Sequence, residues 1–280
     1  MSRTVQDEIP QSAEDLIEKR NISQQDFGWE VPVSTVPVPS QGLVYPKDST
    51  LYGKETVHIK AMTAREEDIL TSRALIRQGT VITHLLNSCL TDKSIDVDDM
   101  LLGDRNALMV AVRITGYGSH YPASVVCPAC ETQAEYDFDL AELEIKRLSI
   151  APVSEGQNSF EFVLPVSNKL VHFRFMTGHD ERELTTTAER KKKIMPDSKL
   201  ESLVTARLEF VIQSIDGVTD RNKINMFVQN MPALDSRKLR SYMENNEPGI
   251  NMNSWMECQQ CGETSQVPLP VGTGFFWPQS

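Results

Sequence analysis

Between residues 56 and 62 polar and apolar positions alternate, TVHIKAM, which predicts a strand with Val57, Ile59 and Ala61 on one face. Thr63-Ala-Arg-Glu66 then has the form of a capping box and predicts a helix running through Gln78 and stopped by Gly79. Ile69, Leu70 and Leu75 supply most of its apolar stripe. A second helix, at about 80–90, carries Val81, Ile82, Leu85, Leu86 and Cys89 at helical spacing, so Cys89 reads as a core residue. The run RNALMVAVRITGYG (105–118) predicts a largely buried helix ended by Gly116 and Gly118. After Cys130 the period changes to two: TQAEYDFDL alternates, and SFEFVLP and KLVHFRFMT are further strands joined by a VSN hairpin connection. From Gly178 onward the pattern is helical again, at about 180–193, 199–215, 220–231 and 233–245. Leu203, Leu208, Val211, Ile212 and Ile215 mark the core side of the second of these, and Pro232 suits a helix's first turn.

The first 37 residues behave differently. Ser12-Ala-Glu-Asp15 resembles a capping box ahead of LIEKR, but QQDFGWEVPVSTVPVPSQG then brings prolines and little periodicity. That predicts an extended arm, with Phe27 and Trp29 as anchors on a neighbour or on the chain's own surface. Pro39-Ser40-Gln41-Gly42 reads as a turn. The expected fold class is α+β, mainly helical with small antiparallel strand elements and a split zinc-ribbon-like four-cysteine site. The corresponding division is an arm (1–37), a helical lobe (38–126), a split knuckle module (127–140 with 255–272), an inserted strand-plus-helical lobe (141–254) and an aromatic tail (273–280).

The chain's chemistry centres on its thiols. Cys127-Pro-Ala-Cys130 and Cys258-Gln-Gln-Cys261 are two C-x2-C pairs, each between strand-like stretches. Two cysteines at this spacing in a tight turn can present both sulfurs to one tetrahedral ion, and two such knuckles complete a site. Gly262, directly behind the second pair, lets the turn tighten so that backbone N–H groups point at the sulfurs. The 127 residues between Cys130 and Cys258 exceed the ~15–20 of a compact ribbon, so the site is split by a folded insertion. The favoured reading is one structural zinc on Cys127, Cys130, Cys258 and Cys261. A thioredoxin-like dithiol or disulfide, and free thiols, are the alternatives; a dithiol needs a helix behind its reactive cysteine, and strand-like sequence follows both pairs. His120 in GYGSHYP reads as a surface residue or one supporting the ligands, with a place as substitute fourth ligand the less favoured alternative.

Composition narrows the function. With 40% apolar and 24% charged residues, 280 residues suffice for one large or two smaller globular domains. No apolar run reaches the ~20 residues that span a bilayer, and the polar, acidic N-terminus does not read as a signal peptide, so a cytosolic site of synthesis is expected. A net charge of −11 opposes non-specific nucleic-acid binding, and the basic run ERKKKI at 189–194 reads as a solvated helix end. Asp96, Asp98, Asp99 and Asp104 lack the glycine and bidentate glutamate of a calcium loop and read as an acidic helix start. The five histidines are scattered, and no recognisable catalytic motif occurs. VGTGFFWPQS puts Phe275, Phe276 and Trp277 on a glycine-hinged tail that either folds back or anchors in a partner's groove, which with the arm favours a subunit of an assembly.

VPVPSQGLVYP, VHIKAMTAREEDIL, LLGDRNALMVAVRITGYGSHYPASVVCPAC and FRFMTGHDERE, followed by the C-terminal cysteine pair and aromatic tail, together resemble the T4-type bacteriophage baseplate protein family. The resemblance runs from about 36 to 190 and resumes at the second knuckle. It implies a structural component of a contractile-tail baseplate, in or near the central hub and binding other baseplate and tail proteins in a symmetric multi-copy assembly. A transient hub-assembly chaperone is the alternative, and a dithiol or zinc enzyme the less favoured one. It further implies a family-like turn at Pro39, Ser40 and Gly42, a helix opened by Gly103, Asp104 and Arg105, and knuckles from the four cysteines. The Pro-rich arm departs from the family as resembled here.

Overall fold

The computed structural model describes residues 18–23, 30–194, 203–271 and 273–276. Strands β1 (Glu18–Ser23), β2 (Glu30–Pro37) and β3 (Thr56–Lys60) form an antiparallel sheet in that order. Residues 30–37, expected in the extended arm, are therefore its middle strand. The reason is local: Val31, Val33 and Val36 are β-branched and buried, and Val33–Pro37 pairs in register with Lys60–Thr56. The capping box at Ser12, together with Phe27 and Trp29, lies outside the described residues.

After β3 the expected capping box forms: Glu66 accepts from the Thr63 N–H at 3.0 Å and opens α1 (Ala64–Thr71). The single helix expected to Gln78 breaks at Ser72 (ψ 105°) into α1 and α2 (Arg73–Gln78), and Gly79 (φ 70°) closes the second. Helix α3 (Val81–Cys89) buries Leu85, Leu86 and Cys89. A turn holds Asp96, Asp98 and Asp99, and then α4 (Leu102–Tyr117) runs through the interior, with residues from Gly103 to Arg113 almost all buried.

Strands β4 (His120–Val126) and β5 (Gln133–Asp139) form a hairpin around the first cysteine pair, and β6 (Ile145–Lys146) follows. The hairpin β7 (Phe160–Val163) and β8 (Leu170–Phe173) turns at 166–168 as expected. Helices α5 (Gly178–Ile194) and α6 (Leu203–Val211) come next. The helix expected over 199–215 ends at Val211, because Ile212–Ile215 is a strand, β9, laid on the free edge of β8 with a bulge at His172/Phe173. Helices α7 (Arg221–Asn230) and α8 (Ala233–Asn246) lead to β10 (Gly249–Ile250), and β11 (Asn253–Glu257) with β12 (Thr264–Pro268) form the hairpin around the second cysteine pair. A 3-10 turn at Thr273–Phe276 ends the described chain.

Among the described residues there are eight helices and twelve strands in five small sheets. The fold is α+β, and the expectation that it is mainly helical is corrected: strands of two to eight residues are spread along the whole chain. One pairing organises the rest. β6 leaves the first hairpin, β10 enters the second, and they pair antiparallel with Ile145 opposite Ile250. The stretch between them thus departs and returns at one point, and a single buried apolar cluster extends from Val36 to Phe276.

Candidate metal centre

The two cysteine pairs are built to one pattern. In the first, Val126 pairs with Gln133, the Cys127 N–H donates to the Thr132 carbonyl at 2.9 Å, and the Glu131 N–H donates to the Cys127 carbonyl at 2.9 Å. In the second, Glu257 pairs with Thr264, the Cys258 N–H donates to the Glu263 carbonyl at 2.9 Å, and the Gly262 N–H donates to the Cys258 carbonyl at 2.8 Å. The residue after each pair, Glu131 (φ 59°) or Gly262 (φ 74°), takes the left-handed conformation that closes the turn. β12 packs beside β4, and the Gln259 N–H donates to the Tyr136 hydroxyl at 3.2 Å, so the knuckles lie face to face.

This brings four sulfurs together from positions 134 residues apart at the widest. Cys127 and Cys261 sulfurs are 3.9 Å apart, Cys130 and Cys258 are 3.6 Å apart, and all four lie within 4.8 Å of one another. A tetrahedron of sulfurs about 2.3 Å from a central ion has edges of about 3.8 Å. The residues present therefore fit a four-thiolate metal centre. The same spacings are far longer than the ~2.05 Å of a disulfide, and strands rather than helices follow both pairs, which removes the dipole a reactive dithiol uses. Cys127 and Cys258 are buried while Cys130 and Cys261 face outward.

The four thiols of the cluster differ sharply in their electrostatics. N–H groups of Cys261 and Gln260 aim at the Cys258 sulfur and bring its pKa to about 6. The Thr132 hydroxyl and N–H lower that of Cys130. Cys261 goes the other way: the Glu263 N–H pulls it down, but burial and the other three sulfurs outweigh that and push it up to about 12. Four thiolates this close cannot all ionise without a dication among them. His120, the substitute ligand, is not part of the cluster; it is exposed at the far end of β4, 3.2 Å from Asp137. A second grouping, Asp96, Asp99 and His179, lies on the surface, where His179 meets Asp99 at 3.2 Å and Arg182 at 3.0 Å as an ordinary charged network.

Two buried anchors sit on α4, which leads into the first hairpin. Asp104, at the start of α4, accepts from the Ser40 N–H at 2.8 Å, the Ser40 hydroxyl at 2.6 Å and the Tyr45 hydroxyl at 2.5 Å, and so ties the 39–45 turn to the helix. Burial raises its pKa although these donors oppose the shift. Gly103 beside it is required by close approach, since a Cβ there would lie 1.7 Å from the Pro248 carbonyl oxygen. Arg105 reaches Glu181 at 2.5 Å and Thr83 at 3.3 Å.

Arg113, which no sequence motif marks, is the second anchor. It is buried on α4 and donates to the carbonyls of Phe275 (2.9 Å), Gly118 (2.6 Å) and His120 (3.0 Å). It thereby joins the tail to the root of β4. Phe275 and Phe276 are buried at 1% and 3% exposure, with Phe275 edge-on to Tyr121, so the tail folds back and these two rings offer no surface to a partner. Trp277 lies outside the described residues. The available signal was a lone arginine within the apolar run MVAVRIT.

A family model described as "T4 bacteriophage base plate protein" matches residues 45–277. The chain belongs to that family. It is thus a phage baseplate component, and the match takes in both knuckles, α4 and Phe275. The turn at Pro39–Gly42 precedes the matched region, so the Ser40–Asp104 contact fastens the stretch before the match to α4 within it. No curated protein and no solved structure matches the chain. No helix among the described residues is long and apolar enough to cross a membrane.

Proposed function

We propose that this chain is a structural subunit of a contractile-tail baseplate, in the hub or next to it, present in several symmetric copies and held against other tail proteins. One zinc ion per chain closes Cys127, Cys130, Cys258 and Cys261 into a structural centre. Family membership supports the baseplate role. The observation that carries the metal reading is the near-tetrahedral set of four sulfurs on two matched knuckles. An all-sulfur set selects soft ions such as zinc over magnesium or calcium, and four protein ligands leave no open position for a substrate or water. The module of 127–140 with 255–272 is entered and left through the β6–β10 pairing, which supports treating residues between them as an insertion.

Two measurements test this. Elemental analysis of protein purified without chelators is expected to give about one zinc per chain, and a metal-free protein with an intact fold overturns the thiolate reading. Mass spectrometry of purified virions is expected to recover this chain among the tail proteins. Its absence from mature particles, with presence in baseplate intermediates, replaces the subunit reading with an assembly chaperone.

A further inference from the structure

Charge is distributed unevenly around the metal-ligating hairpins. Residues 114–145 and 241–280 hold ten Asp and Glu residues and no Lys or Arg, against a net charge of −11 for the entire chain. Nearly all of the excess negative charge therefore sits in the segments that build the knuckle module and its flanks. Glu131, Glu135, Glu257 and Glu263 are exposed, and among the described residues none of them stands in an ion pair.

Trp255 stands in this setting. It is 67% exposed on β11, on the face opposite the buried Met256, with Gln266 across from it on β12. Glu257, two residues along, shares its face, because side chains alternate along a strand. A single exposed apolar side chain is ordinary on a protein surface. This one differs in its support and its surroundings. Its hairpin is backed by buried Met256 and Val267, and it ends in a knuckle locked against its twin. The indole is thus held on a rigid, acidic platform.

We propose that the outer face of the β11–β12 hairpin, with Trp255 as anchor and Glu257 beside it, docks a Lys/Arg-rich surface of another baseplate protein. Tryptophan is the side chain most enriched at binding hot spots, and its ring face is the strongest aromatic partner for a guanidinium or ammonium. Glu257 beside it, and the net negative charge of the flanking segments, steer a cationic surface toward it. The same charge repels nucleic acid, anionic lipid headgroups and a second copy of this face. That the partner is a tail protein rests on the baseplate reading; the chemistry of the surface does not.

The test replaces Trp255 in the full chain with a photo-cross-linking phenylalanine derivative in infected cells, and identifies the cross-linked peptide by mass spectrometry. The expected product is a Lys/Arg-rich peptide of a different tail protein. A basic peptide from outside the tail leaves the surface standing and removes the baseplate reading. A cross-link to a second copy, to an acidic peptide or to nothing overturns the docking surface. With the purified partner, Trp255→Ala is expected to weaken binding at least about 10-fold, and Glu257→Lys to weaken it and flatten its salt dependence. Zinc content and circular dichroism should be unchanged in both variants. Binding by Trp255→Ala within about twofold of the parent protein overturns the proposal.

Discussion

Glu131 occupies a position where its counterpart in the second knuckle is Gly262, and both have positive φ, 59° and 74°. For an L-residue that conformation costs about 1–2 kcal/mol, of which glycine's greater freedom in the unfolded chain returns about 0.5–1 kcal/mol. Glu131→Gly is therefore expected to stabilise the metal-loaded protein slightly, and Gly262→Ala to destabilise it by about 1 kcal/mol, in urea titrations. Shifts of the same sign in both variants contradict the matched-turn geometry. Glu66 offers a different residue-scale test. Burial alone raises its carboxyl pKa, but Lys60 at 2.7 Å, Thr63 and Ser88 lower it from 4.5 to about 2. The folded chain thus favours the ionised form. Its contribution, up to about 3 kcal/mol, is complete above pH ~4.5 and fades as pH falls toward 2. Glu66→Gln should be less stable than the parent at neutral pH, and the gap should narrow below pH ~4.5 and close near pH ~2. A gap that stays constant with pH would place the loss elsewhere.

At the scale of elements, length decided what the sequence could reveal. Helices α3, α4, α7 and α8 are long enough for a 3.6-residue period to show, and the Thr63–Glu66 box marks its own start, so these were legible within a few residues. β6 and β10 have two residues each, and no periodicity survives in two positions. Ile212–Ile215 continued the apolar stripe of a helix and became a strand because β8 offered it a free edge, a tertiary fact absent from the local pattern. The cysteine spacing was legible because ligand geometry is local; the Arg113–Phe275 contact, 162 residues apart, was not. That contact makes a prediction. Arg113 serves three carbonyls at the junction of α4, β4 and the tail, and Arg113→Met leaves all three without their donor. A loss of about 3 kcal/mol is expected, together with faster hydrogen exchange over 273–276. Unchanged exchange there would mean that the Phe275–Tyr121 packing alone holds the tail.

Across the whole molecule, the proposed metal centre would close a loop of 134 residues, from Cys127 to Cys261. The two hairpins meet at the knuckles and along β4–β12, while β6–β10 contributes two residue pairs. Structural zinc binds with an apparent free energy of about 10–16 kcal/mol, and a folded domain is stable by only about 5–15 kcal/mol. A term of that size decides whether the module exists. Chelation should therefore unfold it, and Cys130→Ser or Cys258→Ser should yield insoluble protein. The unfolding should have an order. Tyr121 on β4 donates to the Pro270 carbonyl at 2.5 Å and packs on Phe275, so opening the hairpins exposes the tail next. The β1–β2–β3 sheet and the Glu66 network belong to elements that carry no cysteine ligand and pair with neither hairpin, so they should open last. Hydrogen exchange of the chelated protein, followed in time, is expected to lose protection first at 120–139 and 253–268, then at 273–276, and only later at 56–90. Simultaneous loss everywhere would mean that the continuous core makes the chain one cooperative unit, and retained protection at the hairpins would mean that their backbone pairing needs no ion.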